Sequence, residues 1–126
     1  MRGIIEAIEI GDTIGCLLLL DDAEDVDMLY PFTHERTILM QACCRNMLLV
    51  VEKLLVLGAD PDKKDFDGWT ALHYSTYLSR LECIKLLLKH GASIDTKNNY
   101  GYTPPCIAKE WGHLSTVRLL HGTKPY

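Results

Sequence analysis

The chain has 126 residues, of which 48% are hydrophobic and 24% charged, and its net charge is −4 at pH 7. This balance is typical of one globular domain with an apolar core. It lacks the basic surface of a nucleic-acid-binding protein, and no apolar run nears the roughly 20 residues that span a bilayer. We therefore expect a protein that binds neither nucleic acid nor membrane.

The N-terminal segment lacks the features of a secretory signal, because Glu6 and Glu9 interrupt it before any long apolar stretch. We expect a location in the cytoplasm, with the nucleus as a further compartment. An acidic run follows, with five carboxylates between Asp21 and Asp27. Two interpretations of this run stay open: a solvated loop, or a surface that attracts a basic partner.

A period of 33 residues runs through most of the chain. Shifting the sequence by 33 places residues 65–73 on residues 98–106, and places Gly58-Ala59 on Gly91-Ala92. Within a period, apolar residues are spaced three and four apart, which predicts two short amphipathic helices. We expect a tight turn between the two helices at residues 78–80.

The turn between the two helices of a unit requires a left-handed backbone, which glycine adopts freely, asparagine readily and serine less readily. The residues at this place are Gly11, Asn46, Ser79 and Gly112. A polar stretch follows the second helix of a unit and runs to Gly68 or Gly101. This stretch is predicted to form a protruding, hairpin-like loop.

The period and its motif resemble the ankyrin repeat. Residues 68–73, Gly-Trp-Thr-Ala-Leu-His, carry the G-x-T-x-L-H signature, and residues 86–92 continue as Leu-Leu-Leu-Lys-His-Gly-Ala. The resemblance implies an all-α fold, an ankyrin-repeat solenoid of stacked helix-turn-helix units with protruding hairpin-like loops. We expect a single domain over residues 1–126, with units at about 1–31, 32–64, 65–97 and 98–126, the first acting as the N-terminal cap.

The second unit departs from the signature at two places. Glu35 stands where the loop glycine is expected, and Met40 stands where the third unit has His73. The resemblance implies that His73 and Thr70 have a structural role, because in the family these residues hydrogen-bond within and between repeats. In this unit the helices match the repeat pattern better than the loop does.

The five cysteines are an odd number and lie at helix-like apolar positions, so we expect reduced, buried thiols. For Cys43-Cys44, adjacent helical residues point in different directions, which favours one thiol in the core and the other in the groove. The sequence contains no C-x2-C or H-x3-H pair, phosphate loop or nucleophile elbow. We therefore expect no catalysis, no metal and no cofactor.

The resemblance implies a protein-binding function. In the family, partner contacts come mainly from loop tips and from exposed positions of the inner helices. The matching positions are Phe66, Asp67, Trp69, Tyr77, Leu78, Asn99, Tyr100, Tyr102, Glu110 and Trp111, and in the second unit Thr33, His34, Arg36, Cys44 and Arg45. The aromatic members of this set are expected to be exposed and to serve as interface anchors, although single rings could instead pack loop against loop.

These observations favour a monomer that binds another protein or peptide and acts as an adaptor or inhibitor. Two alternatives remain open from the sequence. One is a regulatory or substrate-targeting subunit of an enzyme complex. The other is a thiol or metal sensor that uses Cys43, Cys44 and the histidines.

Overall fold

A computed structural model describes residues 2–23, 25–29 and 35–121. The described residues form eight helices and no strand beyond one isolated antiparallel bridge between Leu29 and Thr37. The helices are α1 (Arg2–Ile10), α2 (Thr13–Asp21), α3 (Ile38–Cys44), α4 (Leu48–Val56), α5 (Ala71–Tyr77), α6 (Leu81–Lys89), α7 (Pro104–Glu110) and α8 (Leu114–His121). The predicted all-α class is confirmed.

The helices are arranged in two layers. The inner layer consists of α1, α3, α5 and α7, each of which contacts the next, and the outer layer consists of α2, α4, α6 and α8 in the same relation. Each inner helix also contacts the outer helix that follows it in the chain. This is the predicted solenoid of stacked helix pairs.

Threonine begins three of the inner helices. The side-chain oxygens of Thr37, Thr70 and Thr103 accept hydrogen bonds from the backbone N–H three residues later, at 3.2, 3.4 and 3.3 Å. These bonds satisfy donors that have no partner inside the helix. In α7, Pro104 follows the cap directly, at a position where the missing N–H removes no helical bond.

The predicted left-handed turns between paired helices are confirmed. The φ angles there are +74° at Gly11, +57° at Asn46, +56° at Ser79 and +67° at Gly112. Glu35 also has a left-handed backbone, with φ of +66°, at the loop position where Gly68 has φ of +79°. For a residue with a Cβ atom this conformation costs roughly 1–2 kcal/mol.

The core lies between the two layers and is built from fully buried aliphatic side chains, including Leu39, Leu54, Leu72, Ile84 and Leu87. Their spacing of three and four residues puts one apolar face of each helix against its neighbours. None of the described helices has the length and apolar character that crossing a membrane requires.

The expectation of buried thiols holds for three cysteines. Cys16, Cys43 and Cys83 are buried and Cys44 is half-buried, all as free thiols. For Cys106 the expectation is wrong, because this free thiol is exposed. It occupies the place that His73 has in α5, but no further described helix pair packs against α7 to cover it.

Part of the acidic run contacts the next helix pair. The Asp21 carboxylate lies 2.7 Å from the Lys53 ammonium group, and the Asp27 carboxylate accepts a hydrogen bond from the Asp60 N–H at 2.8 Å. Glu24, within the run, lies outside the described residues. The run therefore helps to join neighbouring units, in addition to exposing Asp22 and Asp25 to solvent.

Candidate functional site

The inner helices and the loops before them enclose a groove of about 810 Å³, which we call the aromatic groove. Its lining comes from α3, α5 and α7 and from the loops that precede these helices. Most of the predicted contact residues line it: Arg36, Cys44, Asp67, Trp69, Tyr77, Leu78, Tyr100, Tyr102, Glu110 and Trp111. Tyr74, Asn98 and Ile107 complete the lining and were not among the predicted contact residues.

Three predicted contact residues lie outside the groove. Phe66 is 66% exposed on its loop, and Asn99 is exposed on the next loop. Arg45 is exposed at the end of α3 and does not line the groove. Thr33 and His34 lie outside the described residues.

A buried carboxylate organises the loop before α5. One oxygen of Asp65 accepts hydrogen bonds from the backbone N–H groups of Asp67 and Trp69, both at 2.9 Å. The other oxygen accepts the hydroxyl hydrogen of Tyr74. Burial, followed by this hydrogen bond to Asp65, raises the pKa of Tyr74, so its hydroxyl stays protonated and acts as the donor.

Arg36 completes this network from the preceding unit. Its Nε donates a hydrogen bond to the Tyr74 hydroxyl at 3.1 Å, and its guanidinium carbon lies 4.7 Å from the centroid of the Tyr74 ring. A cation over an aromatic face is attracted by the ring quadrupole. The network therefore joins the loop before α3, through Tyr74 on α5, to the loop before α5.

The rings in the groove pack against one another. The Trp69 centroid lies 5.0 Å from that of Tyr74 and 5.8 Å from that of Tyr77. Tyr77 in turn meets Trp111 edge to face, at 5.2 Å and 86°. Trp69 is consequently half-buried, so the expectation that this ring is exposed is wrong, whereas Tyr77, Tyr102 and Trp111 are exposed by 39, 47 and 59%.

His73 holds α5 to the loop of the next unit. Its Nδ1 accepts the Thr70 N–H at 3.1 Å, and its Nε2 donates to the Tyr102 carbonyl oxygen at 2.9 Å. The side chain is fully buried, and this burial lowers the pKa of His73, which favours the neutral ring. The structural role that the resemblance implied for His73 is confirmed.

Neighbouring loops are also joined directly. The Asn99 side chain donates to the Phe66 carbonyl oxygen and the Asn99 backbone N–H donates to the Asp67 carbonyl oxygen, both at 3.0 Å. A Cβ atom on Gly68 would lie 2.8 Å from the Asn99 nitrogen, so only glycine permits this approach. The loops that carry the groove residues are thus fixed relative to each other.

The cysteines near the groove have the environment of unreactive thiols. Cys43 lies in the core and Cys44 lines the groove, as predicted. Hydrogen bonding to Cys83, followed by burial, raises the pKa of Cys43, and burial raises the pKa of Cys44. Thiols with a raised pKa are poor nucleophiles and poor metal ligands. In the described part of the chain, no three His, Cys, Asp or Glu side chains come together to hold a metal.

A two-layer solenoid with capped inner helices and a concave groove defines a repeat protein of the ankyrin type. Comparison with known families agrees, because residues 39–125 match the model for ankyrin repeats in three copies. The chain belongs to the ankyrin-repeat family. Ankyrin repeats bind other proteins, and domains of this kind are generally non-catalytic.

Individual relatives come from different kinds of protein. The chain is 32% identical over 88 residues to an ankyrin repeat protein of variola virus, which covers 69% of this chain and 15% of that protein. It is 29% identical over 118 residues to the mouse B-cell lymphoma 3 protein homolog, covering 90% of the chain and 26% of the relative. It is 33% identical over 94 residues to mouse protein phosphatase 1 regulatory subunit 12A, covering 70% and 9%. The chain thus spans about a quarter or less of the length of each of these relatives.

Proposed function

We propose that this chain is a non-catalytic adaptor or inhibitor that binds a folded partner or an exposed peptide in the aromatic groove. The observation that carries this proposal is the collection of exposed rings, Tyr77, Tyr102 and Trp111, in one groove of about 810 Å³. Tryptophan and tyrosine are the side chains most often found as anchors of protein interfaces. The proposal includes a monomeric protein of the cytoplasm.

The groove is fixed before any partner arrives. His73 ties α5 to the backbone of Tyr102, and Asn99 ties its loop to Phe66 and Asp67. A surface that is already ordered loses little conformational entropy on binding, so more of the contact energy appears as affinity. This supports recognition by surface complementarity.

A second candidate function is that of a regulatory or substrate-targeting subunit of an enzyme complex. The similarity to a regulatory subunit of protein phosphatase 1 favours it. Both candidates use the same groove and differ in whether the bound partner is a catalytic polypeptide. The third alternative, a thiol or metal sensor, receives no support from the raised pKa values of Cys43 and Cys44.

Affinity capture from cell extract tests the proposal. The wild-type protein is compared with the double variant Tyr102→Ala, Trp111→Ala, and with Leu49→Ala, which removes a 61% exposed side chain from the outer helix α4. Circular dichroism verifies that all three are folded. We expect one or more proteins bound by the wild type and by Leu49→Ala and absent from the double variant.

Equal capture by all three proteins would contradict the proposal and would move the binding surface away from the groove. The identity of the captured proteins separates the two candidates. A catalytic polypeptide bound in a fixed stoichiometric ratio favours the enzyme-subunit function. Non-catalytic partners favour the adaptor function.

A further inference from the structure

The aromatic groove contains more negative than positive charge. Its charged lining residues are Arg36, Asp67 and Glu110. Arg36 already contacts Tyr74 through a hydrogen bond and its ring, and Tyr74 bonds the buried carboxylate of Asp65. The Arg36 guanidinium is therefore already engaged within the protein, and the groove lining holds two carboxylates to one cation. Neither Asp67 nor Glu110 forms an ion pair with the described residues, so the groove has an excess of negative charge.

One end of the groove combines this charge with exposed rings. Glu110 is exposed at the end of α7, directly before Trp111, whose ring meets that of Tyr77 at 5.2 Å. The faces of aromatic rings attract cations, and a nearby carboxylate strengthens that attraction. Lys109, the neighbouring cation on α7, does not line the groove. This end therefore favours a positively charged group from a partner.

Asn98 lines the groove and has one side-chain donor without a partner among the described residues. It is 5% exposed, and its side-chain oxygen accepts the N–H groups of Tyr100 and Tyr102 at 2.9 and 3.0 Å. Both bonds use the side-chain oxygen. The other polar atom of the side chain, Nδ2, is buried and has no hydrogen-bond partner among the described residues.

The repeat explains why this donor is unpaired. Asn98 corresponds to Asp65 in the preceding unit, where the Tyr74 hydroxyl donates to the second carboxylate oxygen. The residue that corresponds to Tyr74 is Ile107, which has no polar group. A buried donor without a partner is costly, so the lining of the groove is less well satisfied at Asn98 than at Asp65.

We propose that the aromatic groove binds an extended peptide segment with a lysine or arginine side chain. The cationic group lies against Tyr77, Trp111 and Glu110. This inference rests on the proposed function and adds to it the chemistry of the partner.

Selection from a displayed library of random nonapeptides tests this chemistry. The full chain is used as bait in three forms: wild type, Glu110→Gln and Glu110→Arg. Glu52→Gln is the matched control, because Glu52 is an exposed carboxylate on α4 outside the groove. Glu110 is itself exposed, so these variants are expected to fold.

We expect the wild type and Glu52→Gln to enrich peptides with lysine or arginine at one position. Glu110→Gln should weaken the binding of such a peptide roughly threefold to tenfold, as measured by fluorescence polarisation. Glu110→Arg should replace the basic preference by an acidic one.

Two results would overturn the inference. One is a set of enriched peptides that has no preference for lysine or arginine, or a preference that Glu110→Gln and Glu110→Arg leave unchanged. The groove would then still bind peptides, but without recognising a cationic side chain. A library that yields no peptide at all would also refute the inference. Neither result decides the proposed function, which the capture experiment with Tyr102→Ala, Trp111→Ala tests separately.

Discussion

Two junctions between neighbouring inner helices, α3–α5 and α5–α7, can be compared. The first helix of each begins with a threonine cap, but the residue three positions after the cap differs. In α5, the ring of His73 accepts the Thr70 N–H and also donates to the Tyr102 carbonyl of the next unit. In α3, the Met40 sulfur accepts the Thr37 N–H at 3.4 Å, but a thioether has no hydrogen to donate. Both helices therefore have a capped start, whereas the bond from residue 73 to the next repeat has no equivalent at residue 40.

The loops of the two junctions differ in a related way. Gly68 allows the loop before α5 to approach Asn99 of the following loop, and both loops contribute to the groove. In the corresponding loop before α3, Glu35 adopts the same left-handed conformation with a side chain that disfavours it. At α5–α7 the hydrogen bonds of Asn99 join loop to loop, whereas at α3–α5 Arg36 in the loop before α3 contacts Tyr74 on α5.

Substitution of His73 should have the largest effect. His73→Ala removes a buried ring and leaves the Thr70 N–H and the Tyr102 carbonyl without this partner, so the free energy of unfolding should fall by about 3 kcal/mol in urea titrations. His73→Met copies Met40 and should keep the cap while losing the bond to Tyr102, at a cost of about 1 kcal/mol. Equal losses in the two variants would show that the sulfur does not replace the ring.

Two glycine substitutions separate backbone strain from loop contact. Gly68→Ala and Gly101→Ala both place a Cβ atom at positive φ, +79° and +84°, which should cost about 1 kcal/mol each. Only Gly68→Ala also forces its Cβ to 2.8 Å from the Asn99 nitrogen, so its total loss should reach about 2 kcal/mol. Chemical denaturation measures both values, and similar losses would mean that the loop contact gives way easily.

The loop before α3 can be improved by the opposite change. Glu35→Gly relieves the left-handed strain and should raise the free energy of unfolding by about 0.5 kcal/mol, since part of the gain is offset by the greater freedom of glycine in the unfolded chain. Glu52→Gly, inside helix α4, serves as the contrast and should be destabilising. A destabilising Glu35→Gly would show that the Glu35 side chain has a stabilising contact.

The pH dependence of stability also distinguishes the two junctions. Burial lowers the pKa of His73 in the folded state below its ordinary value of about 6.5, so the folded protein binds this proton less readily than the unfolded chain. The resulting stability is fully present above about pH 6.5 and declines as the pH falls from there towards the folded-state pKa. The urea midpoint of unfolding should therefore decrease more between pH 7.5 and pH 5.5 in the wild type than in His73→Met. Equal drops would assign the effect to other groups.

The fold could be predicted well because its signals are local. Threonine at the helix starts, left-handed residues in the turns and apolar spacings of three and four are all properties of short segments. The register of the repeat also placed Tyr102 and Trp111 on the groove side. Arg45 has the same register as Leu78 and Trp111 yet does not line the groove, so register alone does not define the binding surface.

Contacts between different elements could not be predicted from the sequence. The ring of Trp69 packs on Tyr74 and Tyr77, five and eight residues later, and periodicity does not report such packing. Tyr74 and Asn98 were missed for the same reason, since their roles depend on hydrogen bonds between a loop and a helix. The sequence did contain one signal of this difference. Asp65 and Asn98 are 33 residues apart and therefore equivalent in the repeat, but the helix residue nine positions later is Tyr74 in one unit and Ile107 in the next.

Site-specific photocrosslinking tests most directly whether partners bind in the aromatic groove. The photoreactive residue p-benzoylphenylalanine is placed at Tyr102 in one protein and at Leu49 on the outer helix α4 in another, and both are irradiated in cell extract. A partner bound in the aromatic groove should give a discrete light-dependent adduct from position 102 and none from position 49. An adduct from position 49 alone would contradict binding in the groove and would assign the binding surface to the outer helices.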